Sequence, residues 1–222
     1  MRGVNGPSSA REDLFARLQR VAEARGSSEP AHDYLHVLRV AASARHLAEQ
    51  EGARLEVVVP AALLHELFNY PKGHPDSPRS GEVCAEEARA VLNAEGVAPE
   101  IAGAVATCIR EHPFSRGILP ATIEGKVLQD ADRLDAIGAI GVARCMATCA
   151  EMKRPFYSQI DPFCAERVPD DKAWGIDHFY TKLLRIPDLL HTRAARAMAS
   201  ERVAAMNAFL AQLGREIAPP TP

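Results

Sequence analysis

Cysteine is scarce in the arrangements that build sites. The chain holds five, at positions 84, 108, 145, 149 and 164. An odd number with no C-x-x-C pair excludes a disulfide framework and a zinc ribbon. Cys145 and Cys149 stand one helical turn apart and read as packing residues, as does the single tryptophan, Trp174. Long apolar runs are missing too. The longest, Val57 to Leu64, is eight residues, far short of a membrane span. Met1 to Ala10 is polar and lacks the apolar core of a signal peptide. No glycine-rich loop of the P-loop or Rossmann kind is present, and no period of 20–50 residues repeats, which excludes a helical solenoid. Neither sign of charge dominates: 26 Lys and Arg against 29 Asp and Glu give a net −3. That balance argues against a protein whose task is gripping nucleic acid through its phosphates. A cytoplasmic chain with no membrane association and no stable nucleic-acid partner is expected.

What is present points to helices. The apolar fraction of 47% with 25% charged residues is ordinary globular composition, and 222 residues without a linker suit one domain. Alanine, leucine, glutamate and arginine abound, while alternating Val/Ile/Thr/Tyr runs are nearly absent. The pattern predicts an all-α fold with helices at about 11–25, 34–52, 56–70, 80–95, 99–113, 122–136, 138–153, 173–186 and 189–215. Gly52 and Gly96 follow helical stretches where a glycine cap is expected, and Pro99 suits a first helical turn. Pro60 fits only if its helix begins about a turn earlier. The segments 69–80 and 155–171 read as loops, the latter rich in Pro and aromatics and either a lid or a loop packed on the core. The first ten residues and 218–222 are expected to be flexible ends.

Three elements carry chemistry. Ala61 to Phe68 places His65 and Glu66 inside an otherwise apolar segment. A carboxylate buried there must be paired, protonated or bound to a cation. His36 shares a helical face with Val40, Ala44 and Leu47 and points inward. Gln129-Asp130-Ala131-Asp132-Arg133-Leu134-Asp135 packs three carboxylates onto one helix. Its apolar stripe passes through Val127, Ala131, Leu134 and Gly138, which puts Asp135 near the centre and Asp132 on the margin. Each element also has a plain structural explanation: a satisfied core histidine, a His-Glu pair bonded to other helices, a solvated acidic face.

Their order and local wording strongly resemble the HD-domain metal-dependent phosphohydrolase superfamily, in its branch of small stand-alone bacterial hydrolases. The resemblance runs through His36-Val37-Leu38-Arg39-Val40, Ala61-Ala62-Leu63-Leu64-His65, Glu124 to Gly138, and Ile176 to Leu184, and so spans roughly residues 30 to 215. It implies a single helical HD-type domain over 11–217, with a core at about 30–150 and a C-terminal cap at about 155–215. It places metal ligation on His36, His65 and Asp132, with the fourth position at the residue after the second histidine. That residue is normally aspartate and here is Glu66. The added methylene extends the carboxylate by about one bond length, and glutamate ligates hard divalent cations at similar distances. Asp135 then pairs with a buried arginine or orients a ligand from behind.

The implied reaction is hydrolysis of a phosphate mono- or diester, from a nucleotide or small phosphorylated metabolite, by metal-activated water. Two imidazoles with two carboxylates favour Mn, Fe, Co or Ni over Mg or Zn. Lys72 and Arg133 are candidates to neutralise phosphoryl charge, and His74 and His112 to assist the leaving group. His178 and Lys182, on the C-terminal third, are candidate substrate contacts alongside Lys72. A homodimer is compatible with a helical surface. Two other readings stay open: a di-iron oxygenase on the same fold, using His74 and His112 as extra ligands, and a nucleotide-binding regulatory module whose site Glu66 has weakened.

Overall fold

The computed structural model describes residues 7–25, 33–71, 74–113 and 116–218. Its chain divides into two compact units, residues 1–132 and 133–222, and the described residues contain helices and no strand ladder. No helix among them is long and apolar enough to cross a membrane.

The first unit is built around α3 (Leu55–Leu64), which packs against α1 (Pro7–Arg25), α2 (Tyr34–Glu51), α4 (Ser80–Ala94) and α5 (Pro99–Glu111). Val57 through Leu64 are all buried, as a helix apolar on every side must be. α3 begins at Leu55, so Pro60 is its sixth residue and lies inside the helix, beyond the first turn where a missing N–H costs no helical bond. Gly52 and Gly96 take left-handed φ of 70° and 72° after α2 and α4, where a Cβ would be strained. A short 3-10 turn, Ser77–Arg79, leads into α4. α6 (Ile123–Asp135) begins in this unit and ends in the next.

The second unit contains α7 (Gly138–Glu151), α8 (Asp177–Thr181), a 3-10 segment Leu183–Leu189 and the long α9 (Arg193–Ile217). α7 packs on α9, and Phe179 of α8 stacks on Phe209 of α9 with centroids 5.9 Å apart. The expected single helix over 173–186 is instead α8 plus the 3-10 segment. Lys182 breaks the helical geometry at φ −135°, and Pro187 lies inside the 3-10 turns. The loop 155–171 is stapled. The Asp161 carboxylate accepts from the backbone N–H groups of Ala165, Glu166 and Arg167, which push its pKa down to about 2. Arg167 donates to Asp177, with Nη2 to Oδ1 at 2.7 Å, and the N–H of Asp170 donates to the same carboxylate.

Asp135, the carboxylate nearest the centre of the α6 stripe, is only 4% exposed and accepts from Arg144 Nη1 at 2.8 Å. Removing the cation from a buried carboxylate is far more costly than losing a surface pair. Arg144→Ala should therefore lower stability by about 3 kcal/mol, read as a shift of the urea midpoint at unchanged slope. A loss below about 1 kcal/mol would place the pair among ordinary surface bridges.

Candidate metal centre

The cluster begins with a helix cap. Asp33 precedes α2, and its Oδ1 accepts the N–H of His36 at 2.8 Å, which satisfies one of the unpaired first-turn donors. The cap fixes the turn that carries the fully buried His36 ring. α3 then delivers the second histidine. It stops at Leu64 rather than continuing to residue 70, so His65 is its C-terminal cap and Glu66 stands just beyond the helix. The His65 Nδ1 donates to Ala62 O at 2.6 Å. A carbonyl can only accept, so Nδ1 carries the proton and Nε2 is left with its lone pair.

That lone pair faces His36 Nε2 at 3.3 Å. His36 Nε2 lies 3.5 Å from Asp132 Oδ1 and 3.9 Å from Glu66 Oε1, and His65 Nε2 is also 3.9 Å from Glu66 Oε1. Donor atoms of His36, His65 and Asp132 all fall within 4.8 Å of one another. Two ligands each about 2.1 Å from one ion stand about 3.0 Å apart at a right angle, about 3.4 Å at the tetrahedral angle and about 4.2 Å when opposite. The four distances sit inside that span, so the residues fit a shared divalent cation. Asn69 Nδ2 donates to Glu66 Oε2 at 2.6 Å, which occupies one carboxylate oxygen while the other meets the imidazoles. Asp132 is 27% exposed and Glu66 8%, so Asp132 is the carboxylate with access to solvent.

His112, the C-terminal cap of α5, repeats the arrangement of His65. Its Nδ1 donates to Ile109 O at 2.6 Å, and its ring meets that of His65 edge-on, centroids 5.3 Å apart at 88°. Gln129, buried on α6, donates its side-chain amide to Glu111 O and to Ile118 O, each at 2.8 Å. The Cys84 thiol on α4 donates to Leu64 O and His65 O at 3.3 and 3.2 Å. Burial pushes that thiol up to about 12, so it remains a donor. At the far end of the same helices Arg54 Nε donates to Glu124 Oε1 at 2.9 Å. Burial opposes the charge on Glu124, but the Arg54 bonds outweigh it and hold the carboxyl below its usual range.

Lys72 lies outside the described residues. His74 stacks on Tyr70 with centroids 4.7 Å apart, and its Nδ1 accepts the N–H of Asp76. In the second unit, Arg133 Nη1 donates to Leu189 O and lies 3.0 Å from His191 Nε2. His178 pairs with Asp171 at 2.8 Å, and the N–H of Lys182 donates to His178 O. Reading the sequence alone missed Asp33, Asn69, Cys84 and Gln129 as supports. Asp33 before a helix is a recognisable cap signal. The partners of Gln129 and Cys84 are distant backbone carbonyls, which no side-chain pattern reports.

Burial dominates the protonation of His65. It lowers the pKa from 6.5 to about 4, with Glu66 opposing and the neighbouring imidazoles assisting. A folded-state pKa below the unfolded one gives stability that is present above pH 6.5 and lost as pH falls toward 4. The metal-free chain should lose about 3 kcal/mol over that window, and His65→Gln should flatten the loss in urea melts at successive pH values.

The fold and the cluster together define a class. An HD domain matches residues 33–137. YpgQ of Bacillus subtilis is 38% identical over 190 residues, 84% of each chain. Its crystal structure superposes with a TM-score of 0.74 at 33% identity, covering 94% of this chain and 97% of that one. The structure of YpgQ in complex with ADP gives 0.71 at 33% identity, covering 91% and 97%. An HD-superfamily hydrolase from Bacillus thuringiensis gives 0.73 at 30% identity, covering 93% and 97%. The chain belongs to the HD-domain family, a superfamily of metal-dependent hydrolases in general.

Proposed function

We propose that the chain hydrolyses a phosphate ester of a nucleotide or small phosphorylated metabolite, with His36, His65, Glu66 and Asp132 holding one divalent cation. The observation that carries this reading is the convergence of two imidazole nitrogens and two carboxylates at separations of 3.3 to 3.9 Å. Imidazole with carboxylate favours Mn, Fe, Co or Ni over Mg, which prefers oxygen ligands alone. When bound, such a cation lowers the pKa of a coordinated water and polarises a phosphoryl oxygen. The complex of YpgQ with ADP supports a nucleotide as the phosphorylated substrate.

The chain's own residues supply position and proton transfer. His65 is held in one tautomer by Ala62 O, so its Nε2 is ready without reorganisation. His112 in the same tautomer presents a lone pair at Nε2. It takes the proton of the attacking water as the new oxygen–phosphorus bond forms. It then returns that proton to the departing oxygen as the ester bond breaks.

The test is removal and restoration of metal. Chelated protein should turn over nothing on a panel of nucleotides and phosphate esters followed by phosphorus-31 NMR. Mn, Fe, Co or Ni should restore turnover better than Mg. Metal-loaded protein inert across the panel overturns the reading, and two irons per chain with O₂ consumption replaces it with oxidation.

A further inference from the structure

Gln129 is a buried neutral side chain that gives two hydrogen bonds to backbone carbonyls from separate points of the chain. We infer that it is a positioning residue, setting His112 at a fixed distance from Asp132. The inference rests on the hydrolase reading given above for its catalytic readout.

Three observations support it. The amide donates to Glu111 O and Ile118 O, both at 2.8 Å, from a residue only 1% exposed. Glu111 is the last residue of α5, so its carbonyl has no partner within the helix and needs an outside donor. His112 follows it directly. Gln129 also stands three residues before Asp132 on α6, so the amide and the carboxylate rise from the same face one turn apart. The path from His112 to Asp132 is therefore short: one peptide unit, one hydrogen bond and one helical turn.

The residue type matters at this position. Both amide hydrogens are committed, and only a neutral side chain with two donors at this reach can serve both carbonyls. An ionised glutamate would face two acceptors with no proton. Asparagine keeps both donors but falls one methylene short. Methionine keeps the shape and gives nothing. With the clamp gone, the end of α5 loses the hydrogen bond that ties Glu111 O to α6. A displacement of about 1 Å at a proton-transferring group is enough for about a hundredfold loss of rate.

The experiment is a double-mutant cycle on the intact, Mn-loaded chain. Gln129→Met should lower kcat about fiftyfold to a hundredfold, with KM and Mn²⁺ affinity within about twofold of the unaltered chain. His112→Ala should cost about a hundredfold, and the double variant should be no slower than His112→Ala alone. A general loosening of the fold would instead give a double variant slowed by the product of the two effects, and that result overturns the inference. So does a Gln129→Met chain with unaltered kcat. Gln129→Asn, which keeps its donors, should fold where the methionine variant does not and give an intermediate kcat with unchanged KM. An Asn variant equal to the unaltered chain counts against the clamp. If the unaltered chain hydrolyses nothing, the hydrolase reading fails separately. The clamp is then decided by imidazole nitrogen-15 NMR of the metal-free chain. Gln129→Met should move the His112 resonances and leave those of His178 in place, and unmoved His112 resonances overturn it.

Discussion

Asp132→Ala should lower kcat/KM on the order of a thousandfold and weaken Mn²⁺ binding in parallel. Asp132 Oδ1 stands 3.5 Å from His36 Nε2, and of the carboxylates at the cluster it is the one with solvent access. It is therefore placed to hold the cation where a substrate arrives. Asp135 is the necessary control, because helical periodicity singles it out as the inward-facing group. Its carboxylate is engaged by Arg144, so Asp135→Asn should move the urea midpoint while leaving Mn²⁺ affinity within about twofold. Isothermal titration of both variants separates the two roles. The assignment fails if Asp135→Asn abolishes binding and Asp132→Ala does not.

Glu66 should behave as a true member of the donor set despite its added methylene. Its Oε1 is equidistant, at 3.9 Å, from both imidazole nitrogens, and Asn69 holds the other oxygen. Glu66→Ala should reduce Mn²⁺ affinity and kcat about a hundredfold. Glu66→Asp should stay within about tenfold of the unaltered chain, because it keeps the charge and gives up the Asn69 bond. Glu66→Gln should lie between, retaining one oxygen donor without charge. Manganese EPR titrations read the order directly. An alanine variant that binds and turns over normally would make Glu66 a bystander and leave a three-residue site.

Much of this site is legible before folding because its chemistry is unusual for its surroundings. A histidine on the apolar face of α2 and a His-Glu pair after the most apolar stretch of the chain both need an explanation that packing alone does not give. The helical wheel of α6 also sets Asp135 deeper than Asp132, at 4% against 27% exposure, but it does not single out Asp130, which is fully buried. What the wheel cannot tell is which depth the chemistry uses. A ligand reaching a solvent-facing ion sits at the margin, whereas the buried centre goes to a structural ion pair. Resemblance to the family favours Asp132, and the Mn²⁺ titrations of Asp132→Ala and Asp135→Asn decide between the two.

Helix ends are less legible for a physical reason. Nothing between Leu64 and Tyr70 breaks a helix by propensity, yet α3 ends at Leu64, where the His65 ring turns back to Ala62 O and Cys84 bonds the last carbonyls. A local ring-to-carbonyl bond and tertiary bonds from Cys84 meet at that end, so part of the boundary is written in α4 rather than in the helix's own propensities. The same holds after α5, where Gln129 supplies the donor for Glu111 O. In the second unit the break at Lys182 comes well before Pro187, the nearest helix-breaking residue after it, and pattern reading runs the two short elements into one helix.

The scarcity of paired cysteines also has a sharper meaning in the folded chain. Cys84, Cys108 and Cys145 are buried, with thiols pushed up to about 12 by burial, so they are packing groups and donors rather than nucleophiles. The work of binding a cation falls to imidazole and carboxylate. A net charge of −3 does not oppose a phosphorylated substrate once two of the acids are neutralised at the cluster.

The central claim is tested most directly by anomalous scattering at the manganese edge from crystals of the Mn-loaded chain. The account predicts one peak at the cluster, about 2.0–2.3 Å from His36 Nε2, His65 Nε2, an Asp132 oxygen and a Glu66 oxygen. A peak at Asp135, or full occupancy elsewhere with none among these four residues, would contradict it.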